Sequence, residues 1–87
     1  MQVKYHKKFK KNYKKRIASN KKLVNRFHKR LEIKIKTPSH FILKDHQLAG
    51  KLKQFRSFSI TGNIRAIYKI KNNTIELYDI GTHNQVY

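Results

Sequence analysis

Residues 64–80, with the sequence IRAIYKIKNNTIELYDI, contain the pattern that decides the fold. Ile64 to Ile70 is apolar on both parities, which is typical of a central strand that is buried on both faces. Lys71–Thr74 has the sequence KNNT, and asparagine tolerates the positive φ that a tight hairpin turn requires. Ile75 to Ile80 supplies the next strand, which ends at Gly81. The segment therefore predicts an antiparallel hairpin at the centre of a sheet.

A further strand is predicted before this hairpin, from about Lys51 to Ile60, because Thr61-Gly62 provides the turn between them. Residues 39–50 are predicted to form a connecting loop. Three successive strands joined by short turns make an antiparallel meander. Gln2 to Tyr5 is a short possible strand at the start of the chain, and we expect Val3 to Tyr5 to join the sheet.

Two helices are predicted between these strands. In the first, Phe9, Tyr13 and Ile17 are spaced by four residues and form one apolar stripe. Ser19-Asn20 then offers a break and an N-cap. The second helix spans about Lys21 to Lys36 and ends at Thr37-Pro38, because the residue before proline avoids the α region. Its apolar face consists of Leu23, Val24, Phe27, Leu31 and Ile35.

The element order is thus β-α-α-β-β-β, and helices that precede a run of strands are typical of an α+β fold. We expect a single domain, residues 1–87, with two N-terminal helices packed on an antiparallel sheet. High charge and low hydropathy are also compatible with disorder. The strand-like spacing of Ile, Leu, Phe and Tyr in the last forty residues favours an ordered domain.

Charge is the most prominent bulk property, with 22 Lys and Arg against 4 Asp and Glu and a formal net charge of +18. Self-repulsion at this charge destabilises the compact state, so a polyanionic partner is expected. Nucleic acid is the first candidate and an acidic protein is the second. Many lysines lie in the first predicted helix, where they are equally compatible with a solvated face.

Several protein classes are excluded by what the sequence lacks. There is no cysteine, which removes disulfides and zinc–thiolate sites. The start has no apolar signal region, and no apolar run approaches the roughly 20 residues of a membrane span, so a cytoplasmic protein is expected. Serine-hydrolase, zinc-protease and P-loop motifs are missing. The five histidines lack a tight ligand spacing, so no metal or other cofactor is predicted.

Two groups of residues have the chemistry of a site. Lys51, Lys53 and Arg56 form a basic strand, with Arg65 on the next strand; fixed cations of this kind stabilise the charge that grows in phosphoryl transfer. Lysine also protects ordinary edge strands from aggregation. For Arg65, which lies in a central strand, the structural alternative is an ion pair with Asp79.

The second group lies around the end of the chain. His83 and Tyr87 follow the last strand, and His46 precedes the basic strand. Histidine transfers protons near neutral pH, and tyrosine stacks on bases or donates its hydroxyl. The alternative is a capping tail that carries an ordinary surface histidine.

The sequence resembles the RelE/YafQ-type toxins in four segments that have the order and spacing of that family. They are DHQLAG at 45–50, FRSFSI at 55–60, GNIRAIY at 62–68 and DIGTHNQVY at 79–87. The resemblance implies a toxin that cleaves mRNA on the ribosome by attack of the ribose 2′-OH on the adjacent phosphate. It also implies a cognate antitoxin, for which we expect an acidic segment.

The resemblance implies roles for individual residues. His83 matches the near-terminal catalytic histidine of YafQ-like members, and Tyr87 matches the aromatic residue that closes the motif. His46 matches the histidine that precedes the glycine in these members. Arg65 matches a phosphate-stabilising arginine of RelE-like members. Binding of RNA phosphates is expected from Lys51, Lys53 and Arg56.

Two positions depart from the pattern of the family. Ser59 and Asn63 stand where YafQ-like members carry a further histidine and an aspartate. The proton transfers would therefore fall on His83 and His46, with help from lysines.

Two alternative functions remain open from the sequence. A ParE-like gyrase inhibitor has the same fold without needing the terminal histidine, and a non-catalytic RNA- or ribosome-binding module needs only the basic charge.

Overall fold

A computed structural model describes residues 1–87, and it shows the α+β fold that the sequence predicts. A five-stranded sheet, in the order β1-β5-β4-β3-β2, carries two helices on one face. None of the helices has both the length and the hydropathy that crossing a bilayer requires. The elements are β1 (Gln2–Tyr5), α1 (Lys7–Arg16), α2 (Lys21–Lys36), β2 (His46–Gln47), β3 (Arg56–Ser59), β4 (Ile64–Lys71), β5 (Thr74–Thr82) and α3 (His83–Val86).

The central hairpin is formed as predicted. β3, β4 and β5 pair antiparallel in sequence order. Asn72 and Asn73 have φ values of 52° and 58°, and this pair of left-handed residues is what a two-residue turn between twisted strands requires.

The sheet as a whole is mixed, because β1 pairs parallel with β5, with Val3 opposite Ile75. The residues of a short isolated strand do not specify its direction. Here α1 follows β1 directly and packs on β5, and this places β1 along the same edge of the sheet.

The predicted apolar stripes of the two helices face the sheet. Asn20 caps α2, since its side chain accepts a hydrogen bond from the Leu23 amide at 3.2 Å. The buried core residues of the helices are Phe9, Ile17, Phe27 and Leu31, and the partly buried residues that pack against them include Tyr13, Leu23, Val24 and Ile35.

Three local predictions were wrong in detail. The strand predicted from Lys51 begins only at Arg56, because Gly50, at φ +65°, opens a 3₁₀ turn (Gly50–Leu52). The predicted loop contains a 3₁₀ turn at Phe41–Leu43 and the short strand β2, which pairs with β3. The predicted tail forms the single helical turn α3.

A second, smaller core explains these differences. Leu48, Ile67 and Val86 are buried together on the sheet face opposite α1 and α2, and Leu52 and Phe55 pack against them. The packing of the partly buried Leu52 against this core favours the 3₁₀ turn over an extended strand. The burial of Val86 fixes α3 against β4 and β5.

Candidate active site

An open cleft of about 430 Å³ lies on the sheet face that carries α3. One wall is the segment from β2 to the second 3₁₀ turn, and the other wall is α3. The residues that line it are His46, Gln47, Leu48, Ala49, Lys51, Leu52, His83 and Tyr87. The structure thus brings together both predicted histidines, the terminal tyrosine and one of the predicted phosphate-binding lysines.

α3 positions His83 and Tyr87 on one side of this cleft. The helix begins with a capping box in which the Thr82 amide donates to Gln85 Oε1 at 2.8 Å. Because His83 and Tyr87 are four residues apart in a helical turn, their rings meet edge to face with centroids 4.5 Å apart. A Cβ at Gly81 would lie 2.6 Å from Gln85 Oε1 and 2.8 Å from Arg16 Nη1, so a larger residue there would have to displace the ends of both side chains.

Ser57 on β3 links Arg65 and Tyr87. The Ser57 hydroxyl oxygen accepts hydrogen bonds from Arg65 Nε at 2.9 Å and from the Tyr87 hydroxyl at 2.8 Å. Ser57 is fully buried, whereas Arg65 and Tyr87 both reach solvent. One buried hydroxyl therefore fixes the orientation of a cation and of an aromatic ring at the edge of the cleft.

Arg65 also reaches His46 on the other wall. Its Nη2 atom donates to the Lys44 carbonyl at 2.9 Å and lies 3.3 Å from His46 Nδ1. His46 Nδ1 is also 3.1 Å from the same carbonyl. A hydrogen bond from His46 to the Lys44 carbonyl requires a proton on Nδ1, whereas a hydrogen bond from Arg65 to His46 requires a free lone pair on the same atom. The position of Arg65 therefore influences which tautomer His46 adopts.

This arrangement has the elements of metal-independent phosphodiester chemistry. Two solvent-exposed imidazoles line one cleft, and the Arg65 guanidinium is held beside one of them, His46, with part of its donor fork free. An imidazole that accepts a proton and another that donates one are sufficient for general acid–base catalysis. The cation is placed to stabilise charge that develops on a phosphoryl group.

The predicted phosphate-binding residues are divided between two places. Lys51 lines the cleft, and Lys53 is exposed just after the same turn, where its carbonyl accepts a hydrogen bond from the Gln47 side-chain amide. Arg56 was expected beside Arg65 but lies on the opposite face of the sheet, because residues 56 and 57 of the strand alternate in direction. Its Nε donates to Asp45 Oδ1 at 2.7 Å.

Asp45 forms a network with Arg56, Lys34 and Tyr68. Lys34, which is buried in α2, donates to Asp45 Oδ2 at 2.8 Å, and the Tyr68 hydroxyl donates to the same atom. Burial favours the neutral acid, but the hydrogen bonds from Lys34, Tyr68 and Arg56 outweigh it and hold the pKa of Asp45 below its ordinary value. Burial, followed by the contact with Asp45, raises the pKa of Tyr68, which keeps this hydroxyl protonated.

The structural alternative for Arg65, an ion pair with Asp79, was wrong. Asp79 faces α1, where Asn12 donates to it at 2.7 Å and Arg16 Nη1 lies 3.4 Å away. Arg65 belongs instead to the cleft network through Ser57, His46 and the Lys44 carbonyl.

Sequence reasoning missed two components of the site. Ser57 gave no signal beyond its place beside Arg56 in a strand, and the Lys44 carbonyl is a backbone group. It also missed the buried cations Arg30 and Lys34. Their spacing of three residues from Phe27 and Leu31 was the only available signal, because it places them beside the apolar stripe.

The whole chain is similar to one family of known proteins. The family model "Bacterial toxin of type II toxin-antitoxin system, YafQ" matches residues 1–87. A search among curated proteins found no matching sequence.

Solved structures have the same fold. YafQ from E. coli strain BL21(DE3) superposes with a TM-score of 0.83 at 22% identity, covering 99% of this chain and 97% of that chain. A metal-bound toxin from Helicobacter pylori has a TM-score of 0.83 at 28% identity, with 100% and 99% covered. The E. coli DinJ-YafQ complex contains a chain with a TM-score of 0.81 at 23% identity, with 99% and 97% covered. Because the family model spans the whole chain, this protein belongs to the YafQ family of bacterial toxins of type II toxin–antitoxin systems.

Proposed function

We propose that this toxin is a metal-independent endoribonuclease that cleaves mRNA on the ribosome. The observation that carries the proposal is the cleft lined by His46 and His83, with the Arg65 guanidinium, which Ser57 holds, 3.3 Å from His46 Nδ1. An extended basic surface, with a formal net charge of +18, suits a polyanionic substrate in a ribosomal site.

In the proposed reaction, one imidazole takes the proton of the ribose 2′-OH. The 2′ oxygen bonds to the adjacent phosphorus, and the bond from phosphorus to the 5′ oxygen breaks. The other imidazole, in its protonated form, donates a proton to the departing 5′ oxygen, which leaves a 2′,3′-cyclic phosphate and a 5′-hydroxyl. Arg65 stabilises the phosphorane, Tyr87 stacks on a base, and Lys51 and Lys53 bind neighbouring phosphates.

The test is primer extension on a translated message in a cell-free system. His83→Ala should lose roughly 10²- to 10⁴-fold in cleavage, the contribution of a positioned acid or base. Arg65→Ala should lose roughly 10²- to 10³-fold. The two losses need not add, since both groups act on one transition state. His28→Ala, which changes an exposed histidine on α2, is the matched control and should cleave normally.

Full cleavage by His83→Ala would remove this residue from the mechanism. Folded wild-type protein that fails to cleave in the presence of active ribosomes would favour a gyrase inhibitor or a non-catalytic RNA-binding module.

We further propose that a cognate antitoxin neutralises the toxin by placing an acidic segment over the cleft. The unpaired charges of Lys51 and Lys53 beside an open cleft support this partner, and the DinJ-YafQ complex shows that a related toxin is bound by another chain. Changing both Lys51 and Lys53 to Glu should weaken the toxin–antitoxin complex more than changing both Lys21 and Lys22 to Glu, because the latter pair lies at the start of α2, away from the cleft. Equal effects would indicate that only net charge matters.

A further inference from the structure

A second cleft of about 430 Å³ lies on the sheet face opposite the candidate active site. It is bounded by the end of α2, the first 3₁₀ turn and the adjoining parts of β3 and β4. Its charged and aromatic lining consists of Lys34, His40, Phe41, Lys44, Asp45, Arg56 and Tyr68. Nothing in the proposed cleavage reaction uses this cleft.

Phe41 is the most prominent feature of this cleft, because its residue surface is 84% exposed. The ring is nevertheless held in place. His40 stacks on it with centroids 4.8 Å apart, and His40 Nδ1 accepts a hydrogen bond from the Ile42 amide at 3.1 Å. Leu43 anchors the same turn in the core. The fold therefore presents a largely exposed aromatic ring to solvent, and His40 is its one stacking partner within the chain.

The charges of the cleft favour an anion. Lys34, Lys44 and Arg56 line it together with a single acid, Asp45. Asp45 is already paired with Lys34 and with the Nε side of Arg56, whose side chain is 43% exposed. Lys44 has no ion-pair partner, so the cleft retains net positive charge next to the exposed ring.

Lys44 connects this cleft with the candidate active site. It adopts a left-handed conformation, φ 45°, which is uncommon for a residue with a side chain. Its carbonyl accepts the hydrogen bond from Arg65 in the first cleft, and its side chain lines the second cleft. Residue 44 therefore borders both the candidate active site and the second cleft, so a strand that passes this loop would lead from one to the other.

We propose that the second cleft is a subsite for single-stranded RNA, in which a base stacks on Phe41 and a phosphate binds Lys44 and Arg56. This inference rests on the proposed function, since it takes RNA as the substrate. Aromatic stacking next to cations is how proteins bind unpaired nucleic acid without reading its sequence. The net positive charge that remains beside the ring suits the phosphates of an RNA strand.

The experiment measures binding of fluorescently labelled RNA oligonucleotides to the His83→Ala protein, which holds the RNA uncut. Short oligonucleotides fill only the first cleft, and longer ones reach the second. Phe41→Ala should lower the affinity for the long oligonucleotide by about fivefold to hundredfold, the range for one base–aromatic stack, and leave the affinity for the short one unchanged. Phe41→Leu should behave in the same way, since it keeps the apolar volume and removes the ring face.

Ile70→Ala is the matched control, because Ile70 is an exposed apolar residue of the same cleft without an aromatic face. It should bind both oligonucleotides normally. Lys44→Gln should lower the salt dependence of long-RNA binding by about one phosphate contact, a slope change of roughly 0.7. Thermal denaturation should show that Phe41→Ala is folded, since the side chain it removes is exposed.

Unchanged affinity of Phe41→Ala for long RNA overturns the subsite, and so does failure of the His83→Ala protein to bind RNA. A weakened antitoxin complex with unchanged RNA binding would assign the cleft to the protein partner instead. Cleavage is scored separately with the wild-type protein. A toxin that binds long RNA through Phe41 but does not cut retains the subsite and contradicts the proposed function.

Discussion

Replacing Ser57 with Ala tests whether one buried hydroxyl organises the candidate active site. The substitution removes the acceptor for Arg65 Nε at 2.9 Å and for the Tyr87 hydroxyl at 2.8 Å. A net hydrogen bond contributes about 0.5–1.5 kcal/mol, and one to a charged group about 1.5–3 kcal/mol. Because both donors reach solvent and can recover part of this with water, we expect a loss of about 1–2 kcal/mol in unfolding free energy. For a domain of this size this corresponds to a fall in Tm of about 5–15 °C.

The effect on cleavage should exceed what stability explains. Arg65 would keep its contacts with the Lys44 carbonyl and, at 3.3 Å, with the Ser57 carbonyl, but it would lose the shorter Nε bond to the Ser57 hydroxyl. A displacement of about 1 Å at a reacting group costs on the order of 10²-fold in rate. Primer extension well below the Tm of the variant should therefore show a loss of tenfold to about a hundredfold. Tyr87→Phe removes only the second bond and should lose less.

Ser59→Ala is the matched control for this prediction. Ser59 is a buried serine of the same strand, but its hydroxyl donates to the Thr61 carbonyl at 2.6 Å, outside the network. It should lose stability with little change in cleavage at a temperature where it is folded. If Ser57→Ala cleaves as well as Ser59→Ala does, the hydroxyl only stabilises the fold and the argument for its role in orienting Arg65 is refuted.

Three other outcomes are expected. Asp45→Asn should cost about 3 kcal/mol at pH 7, because it leaves Lys34 buried without its counter-charge. Because the pKa of Asp45 is lower in the folded state, the carboxylate stabilises the fold fully above its unfolded-state pKa of about 3.9, and this stabilisation is lost as the pH falls through the folded-state pKa. The unfolding free energy measured in urea should therefore change less between pH 7 and pH 3 in the variant than in the wild type. Gly81→Ala should push the Gln85 and Arg16 side chains aside and remove the cap of α3, at a cost of about 1 kcal/mol in unfolding free energy. Thermal melts followed by circular dichroism should show a lower Tm, with reduced cleavage, and an unchanged melt would contradict the close packing. Ribosome co-sedimentation should decrease steeply as salt rises, and retention that is independent of salt would show that electrostatics is not the main contribution.

Local pattern was sufficient for much of the fold. The bounds of α2 and its Asn20 cap, the hairpin at Asn72-Asn73 and the core stripes depend on backbone preferences and on burial periodicity, both of which are present in neighbouring residues. The same is true of the basic surface, because charge is a property of composition. The motif that carries His83 and Tyr87 was also visible in the sequence, although its helical form was not.

Only the tertiary structure decided which of the candidate residues meet. Arg56 and Arg65 look alike in a sequence of basic strands, yet strand register and alternation place them on opposite faces of the sheet, one with Asp45 and the other with Ser57. A turn replaces the strand expected at Lys51, because Leu52 packs, partly buried, against the small core under α3 and this outweighs the local preference of the chain. Contacts between residues distant in sequence are set by the packing of whole elements, and no local pattern specifies that packing.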